Sequence, residues 1–158
     1  MEAVIQMIKQ ALFVLGEEKY GMDIMEINII ERTGSVEKVP GLSENFKGII
    51  RLRGDIVPVY SLRRRFGLAD IPYDDDTRFV ISSCGGMTVA YEVDKVVEIL
   101  QLEEDQLFSV PEIAINNDNR YMKNVINHNG QLIVILDPEK IMTEQERAAV
   151  DKIVNKNN

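Results

Sequence analysis

The chain has 158 residues, enough for one ordinary domain that buries roughly 70% of the surface exposed by its unfolded form, so it needs no disulfide or metal staple. Twenty-six acidic residues against 18 basic ones leave a net charge of −8, which argues against nucleic-acid binding, a matter mainly of phosphate neutralisation. A single cysteine, Cys84, excludes an internal disulfide framework and a multi-cysteine zinc site, and no apolar run is long enough to cross a membrane.

Residues 1–10 are of mixed character, with Val4, Ile5 and Ile8 at the spacing of a short amphipathic turn. Ala11–Leu15 reads as a strand, Gly16–Lys19 as a loop, and Tyr20–Ile24 as a second strand running on through Ile30. Glu31–Asn45 is rich in turn residues. Phe46–Gly67 is the organising stretch. Ile49–Arg53 and Ile56–Tyr60 form a hairpin around Gly54-Asp55, a pair suited to a type II′ turn, and Leu62–Phe66 makes one helical turn ended by Gly67. Pro58 cannot donate to a ladder, so it belongs at an edge, a bulge or a closing point. Ala69–Asp76 is a polar linker.

The chain then starts again. Arg78–Cys84 and Met87–Asp94 flank the Gly85-Gly86 turn, and the second strand continues to Leu100. A long connection, 103–120, leads to Tyr121–His128, an Asn129-Gly130 type I′ turn and Leu132–Leu136. Thr143-Glu144-Gln145-Glu146 has capping-box spacing and opens a helix to about Val154, with Val150, Ile153 and Val154 as its buried stripe. Gly16/Gly85 and Gly21/Ala90 share an offset of 69, while Lys47/Lys123 and Gly54/Gly130 share one of 76. That pattern is a repeat with an insertion before Tyr121. It predicts two similar all-β units, built as short barrels because closure removes exposed edges.

Candidate chemistry is thin. His128, the sole histidine, sits beside a turn with no carboxylate or nucleophile near it in sequence, and Cys84 reads as an ordinary thiol. Asp74-Asp75-Asp76 and Asn116–Asn119 lack the ligand spacing of a calcium loop. Arg53-Gly54-Asp55 reads as turn chemistry, and Gly85-Gly86 opens no phosphate-binding helix. No catalytic, cofactor or metal residue is expected. Arg51, Arg53, Arg63, Arg64 and Arg65 crowd together, as either a solvated turn beside a hairpin or an electrostatic patch for an acidic protein surface.

Phe46-Lys47-Gly48, Leu52-Arg53-Gly54, Ile56-Val57-Pro58-Val59, Leu62-Arg63 and Phe66 together resemble the central motif of the CheW family of chemotaxis coupling proteins. Phe13-x-Leu15-Gly16, Tyr20-Gly21-x-Asp23-Ile24, Val93-Asp94-x-Val96, Pro111-Glu112 and Tyr121-Met122-Lys123 extend the likeness from about Ala11 to Ile141. The resemblance implies one CheW-like domain over 11–142, all-β, made of two intertwined SH3-like five-stranded β-barrels. The first repeat spans about 11–68 and the second about 77–137, followed by a short C-terminal helix over 143–154. It implies a non-enzymatic cytoplasmic adaptor, recruited to receptor arrays, that joins the regulatory domain of the histidine kinase CheA to chemoreceptor tips. The adaptor would be monomeric alone and would alternate with kinase in rings, without nucleic acid or membrane insertion. Ile27, Ile29, Gly48 and Arg53 are implied on the receptor side, and Phe79, Val96 and Ile99 on the kinase side, as apolar strand ends. The family departures are Arg51 for the usual Asn, Ser61 for Asp, Ala90 and Asn124 for Gly, and Ile29 for an acidic residue, which leaves Arg53 to turn to Glu31 or stay untethered. The competing reading is a small β-barrel that binds a ligand or nucleic acid. It predicts a basic, aromatic-lined groove, and the chain has ten aromatics and no tryptophan.

Overall fold

A computed structural model describes residues 7–116 and 118–157, apart from the side chains of Cys84 and residues 155–157. Val4, Ile5 and the Cys84 thiol therefore lie outside the described atoms. The strands are β1 (Met7–Leu15), β2 (Glu18–Asp23), β3 (Ile29–Arg32), β4 (Phe46–Leu52), β5 (Asp55–Ser61), β6 (Arg78–Cys84), β7 (Met87–Val93), β8 (Lys95–Glu103), β9 (Phe108–Ser109), β10 (Met122–His128) and β11 (Gln131–Leu136). Two helices join them, α1 (Leu62–Arg65) and α2 (Glu144–Asn157). The strands form two sheets, ordered β8-β1-β2-β11-β10-β9 and β3-β6-β7-β5-β4. Each sheet thus takes strands from both halves of the chain.

The fold is mostly β with a C-terminal helix, but the barrel closure expected from the repeat is absent. The sheets have six and five strands, and their edge strands do not pair with each other among the described residues. Each sheet instead carries a side-chain core of its own. Leu12, Leu102, Ile126, Ile133 and Ile135, with Leu100 and Leu107 against them, form a core inside the first sheet. Ile50, Val57, Val59, Phe79, Ile81 and Ala90 form its counterpart in the second. A larger core lies between the sheets, around Phe13, Tyr60 and Tyr91, all at most 1% exposed.

The repeat is a property of the hydrogen-bonded ladders. Val59 pairs in parallel with Ala90, and Ile135 with Gly21, so the offsets 76 and 69 exchange the two pairs. Ile30↔Val80 and Ala11↔Ile99 are related in the same way. Ladder irregularities fall at Phe46/Gly48 and at Met122/Asn124. Ser61 N donates to Asn45 O at 2.8 Å, as Asp137 N does to Tyr121 O. The 69 offset still holds in β8, which places the insertion in the connection before β10.

Four local expectations change. The strand from Tyr20 stops at Asp23, whose carboxylate accepts from Met25 N, opens a 3₁₀ turn over Ile24–Glu26 and sends β3 to the other sheet. The strand from Met87 likewise breaks at Asp94 and resumes as β8 in the other sheet. Period-two alternation looks the same on both sides of a sheet change, so the pattern does not register it. Residues from Met7 onward are strand, in place of the amphipathic turn. Finally, the first hairpin turns on Arg53-Gly54, not Gly54-Asp55: φ is 53° and 86°, the double left-handed pair of a type I′ turn, with Leu52 opposite Asp55. Pro58 lies opposite Ile49, whose N–H and C=O both turn away to Glu37. The missing donor of Pro58 therefore points to the β7 side, where pairing starts only at Val59.

Candidate partner-binding surfaces

The arginine cluster is mostly consumed inside the fold. Arg63 grips Asp94 with two hydrogen bonds, Nε to Oδ1 at 2.7 Å and Nη2 to Oδ2 at 2.6 Å, while Gly16 N donates to the same carboxylate at 2.8 Å. This pins the β7–β8 crossover. Arg64 makes a bidentate pair with Asp70 and donates to the carbonyl of Glu44. Arg65 donates to the carbonyls of Ile141 and Asp118 and lies 5.1 Å over the Tyr121 ring. Arg51 reaches Glu37 at 3.4 Å. A broad basic patch for an acidic partner is therefore not present on α1.

Arg53 differs from all of these. It is exposed, sits in the left-handed region at the hairpin tip, and makes no hydrogen bond or ion pair with the described residues, Glu31 included. A side chain with a Cβ is disfavoured there, and such a conformation persists only where its surroundings impose it. Arg53 and Ile29 line one groove, together with Leu52, Ile56, Ser83 and Thr88, and Val154 of α2 borders it. Asn28 Nδ2 donates to Ser83 Oγ at 2.7 Å along the same wall.

The other implied receptor-side residues are not equivalent. Ile27 is half-buried against the core between the sheets. Gly48 is buried at the β4 irregularity with φ 145°, and a Cβ there would run into the backbone carbonyl of Glu37. Its open side lets the 37–49 bridge form, a structural reason for glycine at this position whether or not a partner also reaches it. On the kinase side, Phe79 is 1% exposed within the second-sheet core and cannot present an apolar end; its partner across β6–β3 is Glu31. Val96 is half-buried against the central core, whereas Ile99 is 53% exposed on edge strand β8, beside exposed Val97.

Exposed apolar residues that the sequence reading passed over are Met25 (87%), Phe108 (57%), Ile113 (98%) and Leu132 (68%). Their strand or turn patterns resemble those of buried counterparts, and only the offset of 76, which relates Leu132 to Ile56, could have drawn attention to one of them.

The polar motifs resolve into structural devices. Asp74 Oδ1 accepts from Asp76 N, Thr77 N and Thr77 Oγ1, and Asn116 Oδ1 accepts from Asp118 N and Asn119 N. His128 is not simply solvated: its Nε2 lies 3.1 Å from Glu98 Oε1, joining the end of β10 to β8. The polar linker is clasped as well, since Tyr73 Oη donates to Glu92 at 2.6 Å, and Lys47 donates to the other carboxylate oxygen at 2.7 Å.

The capping box forms as the spacing predicts, with Glu146 N donating to Thr143 Oγ1 and Thr143 N to Glu146 Oε1. Glu146 goes further. Buried, it also accepts from Ser43 Oγ at 2.6 Å, Tyr60 Oη at 2.9 Å and Asn45 Nδ2 at 3.2 Å. Burial alone would raise its pKa, but the bonds from Ser43, the Thr143 backbone, Tyr60 and Asn45 together hold it below the usual value. The Tyr60 hydroxyl is pushed up by burial and by the Glu146 charge. Burial also raises Glu26, against the opposing pull of Lys123.

The sequence profile of the CheW-like domain matches residues 10–146. The chemotaxis protein CheW of Klebsiella aerogenes is 30% identical over 142 residues, which cover 90% of this chain and 86% of the relative. CheW of Bacillus subtilis is 24% identical over 137 residues, 87% of this chain and 88% of that one. The crystal structure of the scaffolding protein TtCheW from Thermoanaerobacter tengcongensis superposes with a TM-score of 0.81 at 26% identity, covering 92% of this chain and 94% of that one. The repeat, the central motif and the paired sheets thus have one common explanation: the chain belongs to the CheW-like family.

Proposed function

We propose that the chain is a non-catalytic chemotaxis scaffold that couples the regulatory domain of a CheA-type histidine kinase to the tips of chemoreceptors. Family membership and likeness to a solved scaffolding protein support this reading over a ligand- or nucleic-acid-binding barrel. The observation within this chain that carries it is Arg53, which alone of the arginines between 51 and 65 has no hydrogen bond or ion pair among the described residues and is held in an unfavourable backbone conformation. The receptor side is the groove of Arg53 and Ile29, with Ile27 as its support. The kinase side is the β8 edge around Ile99, with Val96 behind it. Each sheet, wrapped on its own core, acts as a short SH3-like barrel, the units being 11–68 and 77–137 with strands exchanged. The protein works in the cytoplasm, monomeric alone and alternating with kinase in rings at receptor arrays.

Co-sedimentation of the chain with a receptor cytoplasmic fragment and the kinase tests the proposal. A ternary assembly that needs all three components is expected; kinase and receptor fragment pelleting identically with and without the chain would refute it.

A further inference from the structure

The outer faces of the two long hairpins are twins that the chain treats differently. The offset of 76 carries Ile49, Ile56 and Pro58 of β4–β5 onto Val125, Leu132 and Val134 of β10–β11. On the first face Val150, Ile153 and Val154 of α2 close over the three residues, leaving Ile49 6% exposed and Pro58 buried. On the second face no described helix covers them. Leu132 is 68% exposed, Val125 is half-buried, Val134 is half-buried against the edge of the core between the sheets, and Phe108, level with Val125 across β9–β10, is 57% exposed.

The path of the chain explains the asymmetry. The bonds Ser61 N to Asn45 O and Asp137 N to Tyr121 O mark equivalent points in the two halves. Beyond Asp137 the chain runs into α2, which the Glu146 bonds draw onto the β4–β5 hairpin. Beyond Ser61 it runs through α1 into the linker, which Arg64–Asp70 and Tyr73–Glu92 hold elsewhere. Single exposed apolar residues need no explanation, but a contiguous in-register group does. Its rim is acidic: Glu18 lies two residues before Tyr20, the register partner of Val134, and exposed Glu104 and Asp105 lead into Phe108. Lys123, on the same strand, is already paired with Glu26.

We propose that the β10–β11 face, centred on Leu132, docks an amphipathic helix of a partner protein. The helix carries apolar residues at i, i+3 and i+4, as Val150, Ile153 and Val154 do on the twin face, and basic residues on its flanks. The internal twin supplies the shape of the occupant, and the acidic rim supplies its charge.

The test uses the whole chain and a fluorescein-labelled peptide of residues 142–157 carrying Asp151→Lys, read by anisotropy. Binding to wild type should weaken about tenfold or more with Leu132→Glu, and should be unchanged by Ile71→Glu, an apolar-to-charged change at a 37% exposed position elsewhere. The parent peptide with Asp151 intact should bind more weakly than the basic one. No binding to wild type would overturn the proposal. So would binding indifferent to Leu132→Glu, because the peptide would then be exchanging with α2 on the first face. Self-association that Leu132→Glu abolishes would also overturn it, by making a second copy the occupant.

Discussion

The two hairpin tips share a backbone but not a purpose. Asn129-Gly130 has φ of 53° and 79°, and Arg53-Gly54 has 53° and 86°. Asparagine tolerates the left-handed region, and Asn127 Oδ1 accepts from Gly130 N at 3.1 Å to complete the second turn. At the first tip the position equivalent to Asn127 is Arg51, which has no acceptor to offer and turns to Glu37. One tip is therefore satisfied from within. The other holds an exposed arginine where asparagine would fit the backbone better.

The same contrast runs through the ends of the halves, and Glu146 is where breaking it should show most. Glu146→Ala leaves Ser43, Asn45, Tyr60 and the Thr143 N–H without their acceptor. A loss of about 3 kcal/mol in urea unfolding is expected, with Ile49 and Ile56 becoming as accessible as Val125 and Leu132. The pH dependence follows from the lowered pKa of Glu146 in the fold. Its contribution is fully present above the unfolded glutamate value of about 4.3 and is lost as pH falls through the lower folded value. Glu146→Gln should flatten that part of the acid limb; an unchanged limb would mean that other carboxylates govern it.

The crossovers between sheets come next. Asp94 is clamped by Arg63 and Gly16 N, while Met25, its equivalent at the offset of 69, is 87% exposed. Asp94→Ala strands a largely buried guanidinium, and about 2–3 kcal/mol of stability should disappear. Met25→Ala should stay within about 0.5 kcal/mol. Equal effects would mean that the two crossovers are held alike, against the geometry.

Arg53→Ala should leave the melting temperature near that of wild type, because the exposed side chain has no described partner to lose. Affinity for a receptor-tip fragment should fall about tenfold, equivalent to about 1.4 kcal/mol. A large drop in melting temperature, or unchanged affinity, would make Arg53 structural. Smallest of all, Arg53→Asn copies the second tip onto the first. It should raise stability by a few tenths to about 1 kcal/mol as the left-handed strain relaxes, while losing receptor affinity as alanine does. Stability that falls would show that the arginine steadies the tip through a contact outside the described residues.

Much of this architecture was legible in the chain. The 69 and 76 offsets later reappear as parallel pairings, and Thr143-x-x-Glu146 closes as a capping box. The candidate surfaces are less legible in the chain. Phe79 has the sequence pattern of an exposed strand end because an apolar residue near a boundary carries no sign of which face it takes, and the pairing that buries it lies across β6–β3 and β6–β7. Gly48 carries a motif for a backbone reason, its positive φ beside the Glu37 carbonyl, and motif matching alone does not separate that from contact.

What the sequence determined by itself is everything set by short range. Strand periodicity, turn glycines, the cap of α2 and the twofold repeat depend on neighbours or on self-similarity along the chain. Tertiary structure alone decided the destinations. It sent β3 and β8 to opposite sheets, spent Arg63, Arg64 and Arg65 on internal clasps, and laid α2 over one hairpin face while leaving its twin bare. Several of those outcomes turn on distant partners, Asp94 for Arg63 at 31 positions and Ser43 for Glu146 at 103, while Arg64 finds Asp70 six positions on. A guanidinium or carboxylate has the same sequence signature whether it faces water, a partner or the far side of its own fold, and only packing brings its counter-charge within hydrogen-bond reach.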